Sequence, residues 1–263
     1  MKNKIFCNDC LEILSQIPDN SIDLIFTDPP YNEKYIYRGT NFIDYRDDYY
    51  EFLEKVLIEL KRILKDTGSL YIKHSSRQIN KIIPLLDKYF TFRNLIIWIS
   101  NSLAHPKKNY DSFYEPIYFY TKTNNYTFNK RAEYRAKPPN FWSGCGKEFV
   151  GLLSNMWYDI KKIQAGCLKK VEGGTIGHEK LHPCSMPIRL AERAIKVSSN
   201  EGDIVLDPFA GICTTAVACI KTKRNFICIE KEKLYAGYGK ERIENIQYQA
   251  GLFDKTDPEE EFS

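Results

Sequence analysis

Residues 27–32 read TDPPYN and follow the apolar run Ile22–Phe26. The hexapeptide sets a carboxylate, two prolines, a phenol ring and a carboxamide side by side at a predicted strand end. Asp and Pro also end strands in ordinary turns, because proline has no N–H to continue a ladder. Taken alone, Asp28–Tyr31 is as compatible with a turn as with an active site.

A second strand end of the same kind lies far downstream, at DIVLDPFAGICTTAVACI (Asp203–Ile220). An apolar strand ends at Asp207, turns through Pro208–Gly211 and opens a helix at Thr214. Nucleotide-type ligands bind at such carboxyl ends of parallel strands. About 20 residues on, NFICIEK ends another strand at Glu230, where an acidic side chain can bind ribose hydroxyls. Because the chain has no G-x-G-x-x-G, we expect a ribose-bearing cofactor without a diphosphate.

The elements that must position these residues follow from hydrophobic patterning. Short apolar strands alternate with helical patterns, which predicts an α/β fold with a mostly parallel twisted sheet and helices on both faces. The expected strands are Lys4–Cys7, Asp23–Asp28, Ser69–His74, Leu95–Ile99, Pro116–Thr121, Ile204–Pro208 and Phe226–Glu230. The expected helices lie near Leu11–Gln16, Tyr49–Leu64, Ser76–Tyr89, Pro187–Ser198, Thr214–Thr222 and Lys233–Gln247.

Two regions depart from this alternation. Asn32–Asp48 is long, polar and rich in tyrosine, and loops of this length are usually functional. Residues 126–180 carry ten Lys and Arg against five Asp and Glu, together with Trp142 and Trp157. This composition is typical of a nucleic-acid surface, although an ordinary solvated surface can share it. We interpret 126–180 as an inserted recognition region.

The bulk composition bounds the remaining possibilities. With 263 residues, 43% hydrophobic and 27% charged, the chain suits one globular α/β domain with an insertion. No apolar run approaches the roughly 20 residues that cross a bilayer, and MKNKIFCNDC lacks the apolar core of a signal peptide, so we expect a cytoplasmic protein. Cys7 and Cys10 form a C-x-x-C pair, but no second pair completes a zinc site, and no metal is expected.

TDPPYN followed downstream by LDPFAG resembles the amino-methylating DNA methyltransferases, in the order of their permuted beta-class subgroup. NDCLEILSQIPDNSIDLIFTDPPYN, YEPIYFYTK and HPCSMPIRLAERAI also fall in that subgroup's order, so the resemblance covers nearly the whole chain. It implies a Rossmann-like fold and a methyltransferase activity that depends on S-adenosyl-L-methionine. The expected parts are a catalytic half (1–125), an inserted target-recognition region (126–180), a cofactor-binding half (181–250) and an acidic tail (251–263).

The resemblance assigns roles residue by residue. It implies that the catalytic residues are Asp28, Pro29, Pro30 and Tyr31. It implies cofactor contacts for a larger set: Asp9, Cys10, Asp28, Asp207, Pro208, Phe209, Ala210, Gly211, Thr214, Glu230 and Lys231. Two departures from the family's usual motifs concern cofactor affinity. Ile212 and Cys213 replace a Ser-Gly pair, and Met186 stands at a lysine position, so that lysine's contact to the cofactor carboxylate is missing.

The first stretch then acquires a chemical interpretation. An exocyclic amino group of a base is a poor nucleophile because its lone pair is delocalised into the ring. Asp28 and the Pro29 carbonyl can accept both amino hydrogens and direct the lone pair at the methyl group, and the rigid Pro-Pro pair lowers the cost of orientation. Tyr31 offers a ring face to a base turned out of the duplex, and Asn32 is placed to fix the turn. Asp28 must be ionised but need not be unusually basic.

The resemblance implies a site-specific DNA adenine-N6 methyltransferase acting on double-stranded DNA, because Asp28 stands where cytosine-N4 enzymes more often have Ser. Cytosine-N4 methylation and a catalytically inactive DNA-binding relative are the alternatives. The expected phosphate contacts come from lysines of two loops: Lys107, Lys108, Lys161, Lys162, Lys169 and Lys170. A homodimer and a cognate restriction endonuclease are the expected protein partners.

Overall fold

A central sheet organises the chain. The computed structural model describes residues 1–36, 43–99, 113–130, 132, 154–161 and 186–253. The strands are β1 (Lys4–Cys7), β2 (Ile22–Thr27), β3 (Tyr35–Ile36), β4 (Ile43–Asp44), β5 (Leu64–Lys73), β6 (Thr91–Ile99), β7 (Tyr114–Thr121), β8 (Met156–Trp157), β9 (Ile204–Asp207) and β10 (Asn225–Glu230). Eight of them form one sheet in the order β1-β10-β9-β2-β5-β7-β6-β8, and β3 pairs with β4 in a separate ribbon.

The strands that carry the predicted motifs run parallel to one another. β1, β10, β9, β2 and β5 pair in parallel, and Leu24 lies opposite Val205 where β2 meets β9. β7 is antiparallel to both β5 and β6. Parallel neighbours place their carboxyl ends at one edge of a sheet, and the reversed β7 brings its amino end to that edge. The expected mostly parallel sheet is confirmed.

Six α-helices lie within the described residues. They are α1 (Cys10–Leu14), α2 (Tyr49–Ile63), α3 (Ile79–Asp87), α4 (Ile188–Ser198), α5 (Thr214–Lys221) and α6 (Lys233–Phe253). α2 forms because its apolar residues recur at helical spacing, and it buries Val56, Leu57 and Leu60. The expected helix Ser76–Tyr89 is divided, because a short 3-10 turn (Ser76–Gln78) precedes α3. Among the described helices, none is both long and apolar enough to cross a membrane.

The two faces of the sheet bury separate apolar clusters. One cluster packs α1, α2 and α3 against the sheet and includes Leu14, Leu57 and Leu86. The other packs α4 and α5 against the opposite face and includes Ala194 and Val217. Strands covered on both faces are expected to be apolar throughout rather than alternating, and β2 and β9 have this pattern. Helices on both faces confirm the expected Rossmann-like layering.

Three short strands correct the expectations from the sequence. β3 and β4 pair antiparallel within Asn32–Asp48, where we expected a loop without structure of its own. β8 adds a strand beside β6, inside the region 126–180. Strands of two residues carry too little alternation to be recognised in a sequence. α6 also continues to Phe253, beyond its expected end near Gln247.

Candidate active site and cofactor pocket

Six neighbouring strands place polar side chains at one edge of the sheet. The carboxyl ends of β1, β10, β9, β2 and β5 lie side by side there, followed by the amino end of β7. Polar side chains stand at or just beyond these ends, in the order Asp9, Glu230, Asp207, Asp28, Lys73 and Glu115. Ligands of open α/β sheets bind outside the carboxyl ends of the strands. This edge is therefore the candidate active site.

Asp28 is held by two side chains directly after β2. The Tyr31 hydroxyl donates to Asp28 Oδ1 at 2.5 Å, and Lys73 Nζ donates to Asp28 Oδ2 at 3.1 Å. Lys73 also donates to the Tyr31 hydroxyl and forms an ion pair with Glu115 at 2.6 Å. The Asp28 side chain is 24% exposed and that of Lys73 only 7%. A partly exposed carboxylate is thus supported by a buried cation.

The backbone carbonyl groups of this turn differ in their hydrogen-bond partners. Pro30 O accepts from the Tyr49 hydroxyl at 2.6 Å, and Tyr31 O accepts from the Gln78 side-chain amide at 2.5 Å. No donor among the described residues reaches the Pro29 carbonyl. Asp28 and Pro29 therefore provide two neighbouring acceptors, as binding of an amino group requires.

His74 supports the same turn from the residue after β5. Its Nδ1 accepts from the Ser75 N–H at 2.9 Å, so Nε2 carries the proton and donates to the Tyr49 hydroxyl at 2.7 Å. Burial lowers the pKa of His74 to about 3, so its ring is neutral near pH 7. The hydrogen bonds run from His74 through Tyr49 to Pro30, which gives His74 a structural role.

Asp44 fixes the segment that follows the catalytic turn. Its buried carboxylate accepts from the N–H of Tyr31 at 3.0 Å and of Asn32 at 2.7 Å. Asn32 has a φ of 58°, a left-handed conformation that asparagine tolerates, and its side chain accepts from the Arg46 N–H at 2.6 Å. Asn32 does fix the turn, and Asp44 shares that role.

Asp207 stabilises the second turn, which runs through Pro208–Gly211. Its carboxylate accepts from the Thr27 hydroxyl at 2.9 Å, the Thr215 hydroxyl at 2.6 Å and the Phe209 N–H at 3.1 Å. Burial raises the pKa of Asp207 to about 6. Because Thr27 directly precedes Asp28, its bond to Asp207 fixes the two turns relative to each other. These contacts make the Asp207 carboxylate a brace of the turn, and its contact with a cofactor stays a prediction.

Glu230 and Asp9 line the other half of this edge. Glu230 accepts from the N–H groups of Gly211 at 2.7 Å and Glu232 at 2.8 Å. Each carboxylate oxygen has a second lone pair, so both can still accept from ribose hydroxyls. Asp9 caps α1, and Lys231 Nζ lies 3.5 Å from its carboxylate. This set of acceptors fits a ribose-bearing cofactor.

Apolar side chains pack beside these acceptors. Cys10 is buried at the start of α1, and burial raises the pKa of its thiol to about 12, so the thiol is neutral. Phe209 packs edge-on against Phe52 of α2, with 6.2 Å between the ring centroids. The other predicted cofactor residues of the turn are buried: Pro208, Ala210 and Thr214. A flat aromatic base can pack against such a surface.

The departures from the family motif have visible structural consequences. Cys213 has a φ of 59°, a conformation that glycine adopts without strain. The glycine that the family usually has at this position suits the positive φ, which this chain adopts with cysteine. The Cys213 side chain has room because α6 has Gly239 beside it; a Cβ on Gly239 would lie 2.4 Å from the Cys213 Sγ. Ile212 is buried, and Met186 packs against the apolar cluster around α4 and α5.

The predicted DNA contacts are only partly described. Lys161 is exposed at the end of the segment 154–161. The other five lysines lie outside the described residues: Lys107, Lys108, Lys162, Lys169 and Lys170. All six contacts stay a prediction.

Four residues of this edge escaped the sequence analysis: Lys73, Glu115, Asp44 and Tyr49. Lys73 did leave a signal, since SLYIKHSS places a charged residue at the carboxyl end of an otherwise apolar strand. Such a residue is buried only when it has partners. Glu115 and Asp44 left none, because the reversed β7 and the β3–β4 ribbon decide where they lie.

The sheet, the polar turns beyond β9 and β10, and the Asp-Pro-Pro-Tyr turn beyond β2 define a Rossmann-like methyltransferase. The catalytic strand β2 precedes the cofactor strand β9 in the chain, which is the permuted order. The model of the N6/N4 methyltransferase family, described as DNA methylase, matches residues 22–241. The chain belongs to this family.

Individual relatives agree with the family match. The DNA adenine methyltransferase YhdJ of Escherichia coli (strain K12) is 34% identical over 256 residues, which span 91% of this chain and 82% of that protein. The type II methyltransferase M.HpaI of Haemophilus parainfluenzae is 32% identical over 248 residues, spanning 93% and 75% respectively. A Thermus thermophilus protein described as a DNA modification methylase, solved in complex with S-adenosyl-L-methionine, is 25% identical. Its TM-score is 0.61, and the match covers 93% of this chain and 94% of that one.

Proposed function

We propose that the protein is a site-specific DNA methyltransferase that transfers a methyl group from S-adenosyl-L-methionine to N6 of adenine in duplex DNA after base flipping. The observation that carries this proposal is the Thr27–Asp207 hydrogen bond, which joins the Asp-Pro-Pro-Tyr turn to the cofactor turn. It joins the turn that carries Asp28 and Pro29 to the turn on the neighbouring strand, where we propose that the cofactor binds. The adenine specificity named for YhdJ and the cofactor bound to the Thermus protein support the choice of substrates.

The residues of the first turn act by binding and orienting the amino group. Asp28 and the Pro29 carbonyl each accept one amino hydrogen, so the nitrogen lone pair is directed out of the base plane towards the pocket. The carboxylate oxygens of Asp28 have lone pairs left after the bonds from Tyr31 and Lys73. The prolines and Asp44 hold the turn rigid, which lowers the cost of orientation. The Tyr31 ring is assigned to stacking against the flipped base.

The residues of the second turn hold the cofactor. S-adenosyl-L-methionine supplies an electrophilic methyl group on a cationic sulfur. We assign Glu230 to the ribose hydroxyls, and Asp9 and Cys10 to the turn that holds the adenine, with Lys231 beside them. The remaining contacts are assigned to the loop from Asp207 to Thr214. Met186, at the position of the family's lysine, offers no cation to a cofactor carboxylate.

Methyl transfer from labelled cofactor tests the proposal. Whole-genome-amplified DNA, which carries no methylation, is incubated with the protein and tritiated S-adenosyl-L-methionine, and then digested to nucleosides. We expect the label in N6-methyldeoxyadenosine. Label in N4-methyldeoxycytidine would favour the cytosine alternative, and label in neither nucleoside, with DNA still bound, would favour an inactive DNA-binding relative. Asp28→Asn is the matched control, since it keeps the shape of the side chain and removes its charge.

The lysines of the region 126–180 are proposed to contact DNA phosphates. Replacing Lys161, Lys162, Lys169 and Lys170 by Ala should weaken duplex binding whatever the sequence. The slope of the logarithm of the DNA-binding constant against the logarithm of the salt concentration should change by up to about 0.9 for each phosphate that is no longer neutralised. The matched control removes four lysines near the amino ends of β1 and β10, at the opposite edge of the sheet: Lys2, Lys4, Lys221 and Lys223. If both quadruple variants keep the wild-type slope, the phosphate contacts lie elsewhere, and Lys107 and Lys108 are tested next.

Three further assignments belong to this proposal. The name type II methyltransferase for M.HpaI supports a role in restriction and modification, with a cognate restriction endonuclease as partner. The protein is proposed to act in the cytoplasm. Its functional unit is proposed to be a homodimer. Sedimentation velocity at micromolar concentration, with and without duplex DNA, checks the last assignment, and a single monomeric species under both conditions would contradict it.

A further inference from the structure

Lys73 is a buried lysine at the centre of the candidate site. It ends β5, its side chain is 7% exposed, and its ammonium contacts Asp28 Oδ2 at 3.1 Å and Glu115 Oε2 at 2.6 Å. It also donates to the Tyr31 hydroxyl. Lysine is almost never buried unless it is paired. Here its partners are a catalytic carboxylate, the catalytic tyrosine and a second carboxylate from β7.

We propose that Lys73 is a positioning residue for methyl transfer, which holds the Asp28 carboxylate ionised and oriented. Glu115 weakens this effect of Lys73, because its negative charge disfavours the ionised form of Asp28. The inference rests on the proposed function, because it gives Asp28 its role there. It adds two residues, Lys73 and Glu115, to the catalytic turn.

The orientation follows from the hydrogen bonds. Tyr31 occupies one oxygen of Asp28 and Lys73 the other, so the carboxylate plane cannot rotate without breaking one of the two bonds. Lys73 also binds the Tyr31 hydroxyl, and the three groups form a closed triangle. The lone pairs that remain on Asp28 then point in fixed directions, which is the condition for aligning an amino group.

The charge balance follows from the groups that face Asp28. Burial raises the pKa of Asp28, and Lys73 is the strongest influence that lowers it, followed by Tyr31, while Glu115 raises it. From β9, Asp207 is a second carboxyl whose pKa is raised in part by Asp28. His74, next to Lys73, is neutral near pH 7. Among these described neighbours, the cation that contacts Asp28 is Lys73.

Lys73 acts by its charge and not by moving a proton. Burial opposes its charge, but Asp28 and Glu115 outweigh burial and hold the pKa of Lys73 above its ordinary value. It therefore stays protonated across the working pH range and has no lone pair to accept the proton that the methylated amine releases.

The competing interpretation is that Lys73 only neutralises Glu115 and stabilises the fold. The two interpretations predict different signs for a pair of variants. Activity requires ionised Asp28, so it is lost as the pH falls through the pKa of Asp28. Lys73→Met removes the cation, raises this pKa and moves the acid limb of kcat to higher pH. Glu115→Gln removes an anion, lowers the pKa and moves the limb to lower pH. Loss of fold stability alone would lower activity in both variants and would not shift the two limbs in opposite directions.

The experiment measures the acid limb and the Asp28 carboxyl directly. The kcat of wild type, Lys73→Met and Glu115→Gln is followed across pH with duplex DNA. In parallel, the carboxyl carbon of Asp28 is titrated by 13C NMR without DNA and assigned from its absence in Asp28→Asn. We expect opposite shifts of both readouts in the two variants. We also expect a fall in kcat of about 10–100-fold near pH 7 for Lys73→Met, because misplacement of a reacting group by about 1 Å can cost ~10²-fold.

One further variant keeps the outcomes separate. Lys73→Arg retains the charge and should keep the NMR titration close to that of wild type, whereas Lys73→Met should not, even if both are less stable. Shifts of the same sign, or none, in Lys73→Met and Glu115→Gln overturn the inference while wild-type activity on adenine stands. Opposite NMR shifts in a protein that methylates no adenine uphold the charge balance and overturn the proposed function instead.

Discussion

Two turns of this protein begin with the same dipeptide and use its aspartate differently. Asp28 follows β2 and Asp207 ends β9, on neighbouring strands of one sheet. Asp28 is a quarter exposed and is held by a lysine and a phenol. Asp207 is 4% exposed, and its oxygens accept from two threonine hydroxyls and one N–H. The first carboxylate is partly open to solvent, and the second is enclosed in the fold.

The difference teaches that neighbours, and not the dipeptide, decide what each carboxyl group does. Neutral hydroxyl donors offset the burial of a charge less well than a cation does, and the pKa of Asp207 rises to about 6. Burial raises the pKa of Asp28 as well, but the Lys73 cation opposes that rise. Asp28 is therefore suited to chemistry, and Asp207 is suited to connecting the catalytic and cofactor turns.

The strongest test of this contrast is Asp28→Asn. We expect methyl transfer to fall by more than about 10²-fold, because an amide can accept through one atom only and carries no charge. Cofactor affinity and the free energy of unfolding should change less than the activity does, because asparagine keeps the shape of the side chain. Tritium transfer, calorimetric titration of cofactor and urea unfolding give the three readouts. Activity within tenfold of wild type would remove Asp28 from the mechanism.

Asp207→Asn tests the enclosed carboxyl through the pH dependence of stability. The pKa of Asp207 is about 6 in the fold, against an ordinary value of 3.8. The folded protein then holds more protons than the unfolded chain between these values, so this group's contribution to stability falls as the pH rises through them. The loss amounts to about 3 kcal/mol. The free energy of unfolding from urea titrations at pH 4 to 7 should therefore decline less steeply in Asp207→Asn than in wild type. Parallel profiles would mean that Asp207 is not enclosed as described.

Glu230→Gln tests whether the second turn holds a ribose. A charge-assisted hydrogen bond contributes on the order of 1.5–3 kcal/mol, so the Kd for S-adenosyl-L-methionine should rise by about 10–100-fold. Glu201→Gln is the control, because it removes the same charge from an exposed side chain before the amino end of β9, at the opposite edge of the sheet. Isothermal titration calorimetry measures both variants. An unchanged Kd in Glu230→Gln would show that the ribose assignment is wrong.

The smallest expected effect concerns Cys213, whose backbone has a left-handed conformation. In the Asp-Pro-Pro-Tyr turn the left-handed position is taken by an asparagine, which tolerates it. Gly239→Ala should destabilise the protein by about 1–3 kcal/mol through overpacking, because the new Cβ would lie 2.4 Å from the Cys213 Sγ. In the Cys213→Gly background the same change should cost nothing, since the sulfur is gone and alanine favours a helix. A double-mutant cycle by urea unfolding measures this coupling, and additive effects would contradict the packing described.

Much of the fold could be predicted from the sequence. Apolar runs bounded by turn signals located the strands β1, β2, β9 and β10 to within one residue. Since carboxyl ends of parallel strands share one edge, Asp28, Asp207 and Glu230 could be expected at the same edge, but the order β10-β9-β2 that makes their strands neighbours is seen only in the structure. β3, β4 and β8 did not, because two residues hold no periodic signal.

The sequence by itself determined where strands stop and which backbone groups become available, because proline removes a ladder donor whatever surrounds it. It thereby placed Asp28 and Pro29 beyond β2 and Asp207 at the end of β9. Only the tertiary structure decided the charge and contacts of these groups. Lys73 lies 45 residues from Asp28 along the chain, and Thr27 lies 180 residues from Asp207, yet each pair is joined by a hydrogen bond. Burial and distance to a counter-charge set a carboxyl pKa, and both are properties of the packed sheet rather than of the local chain.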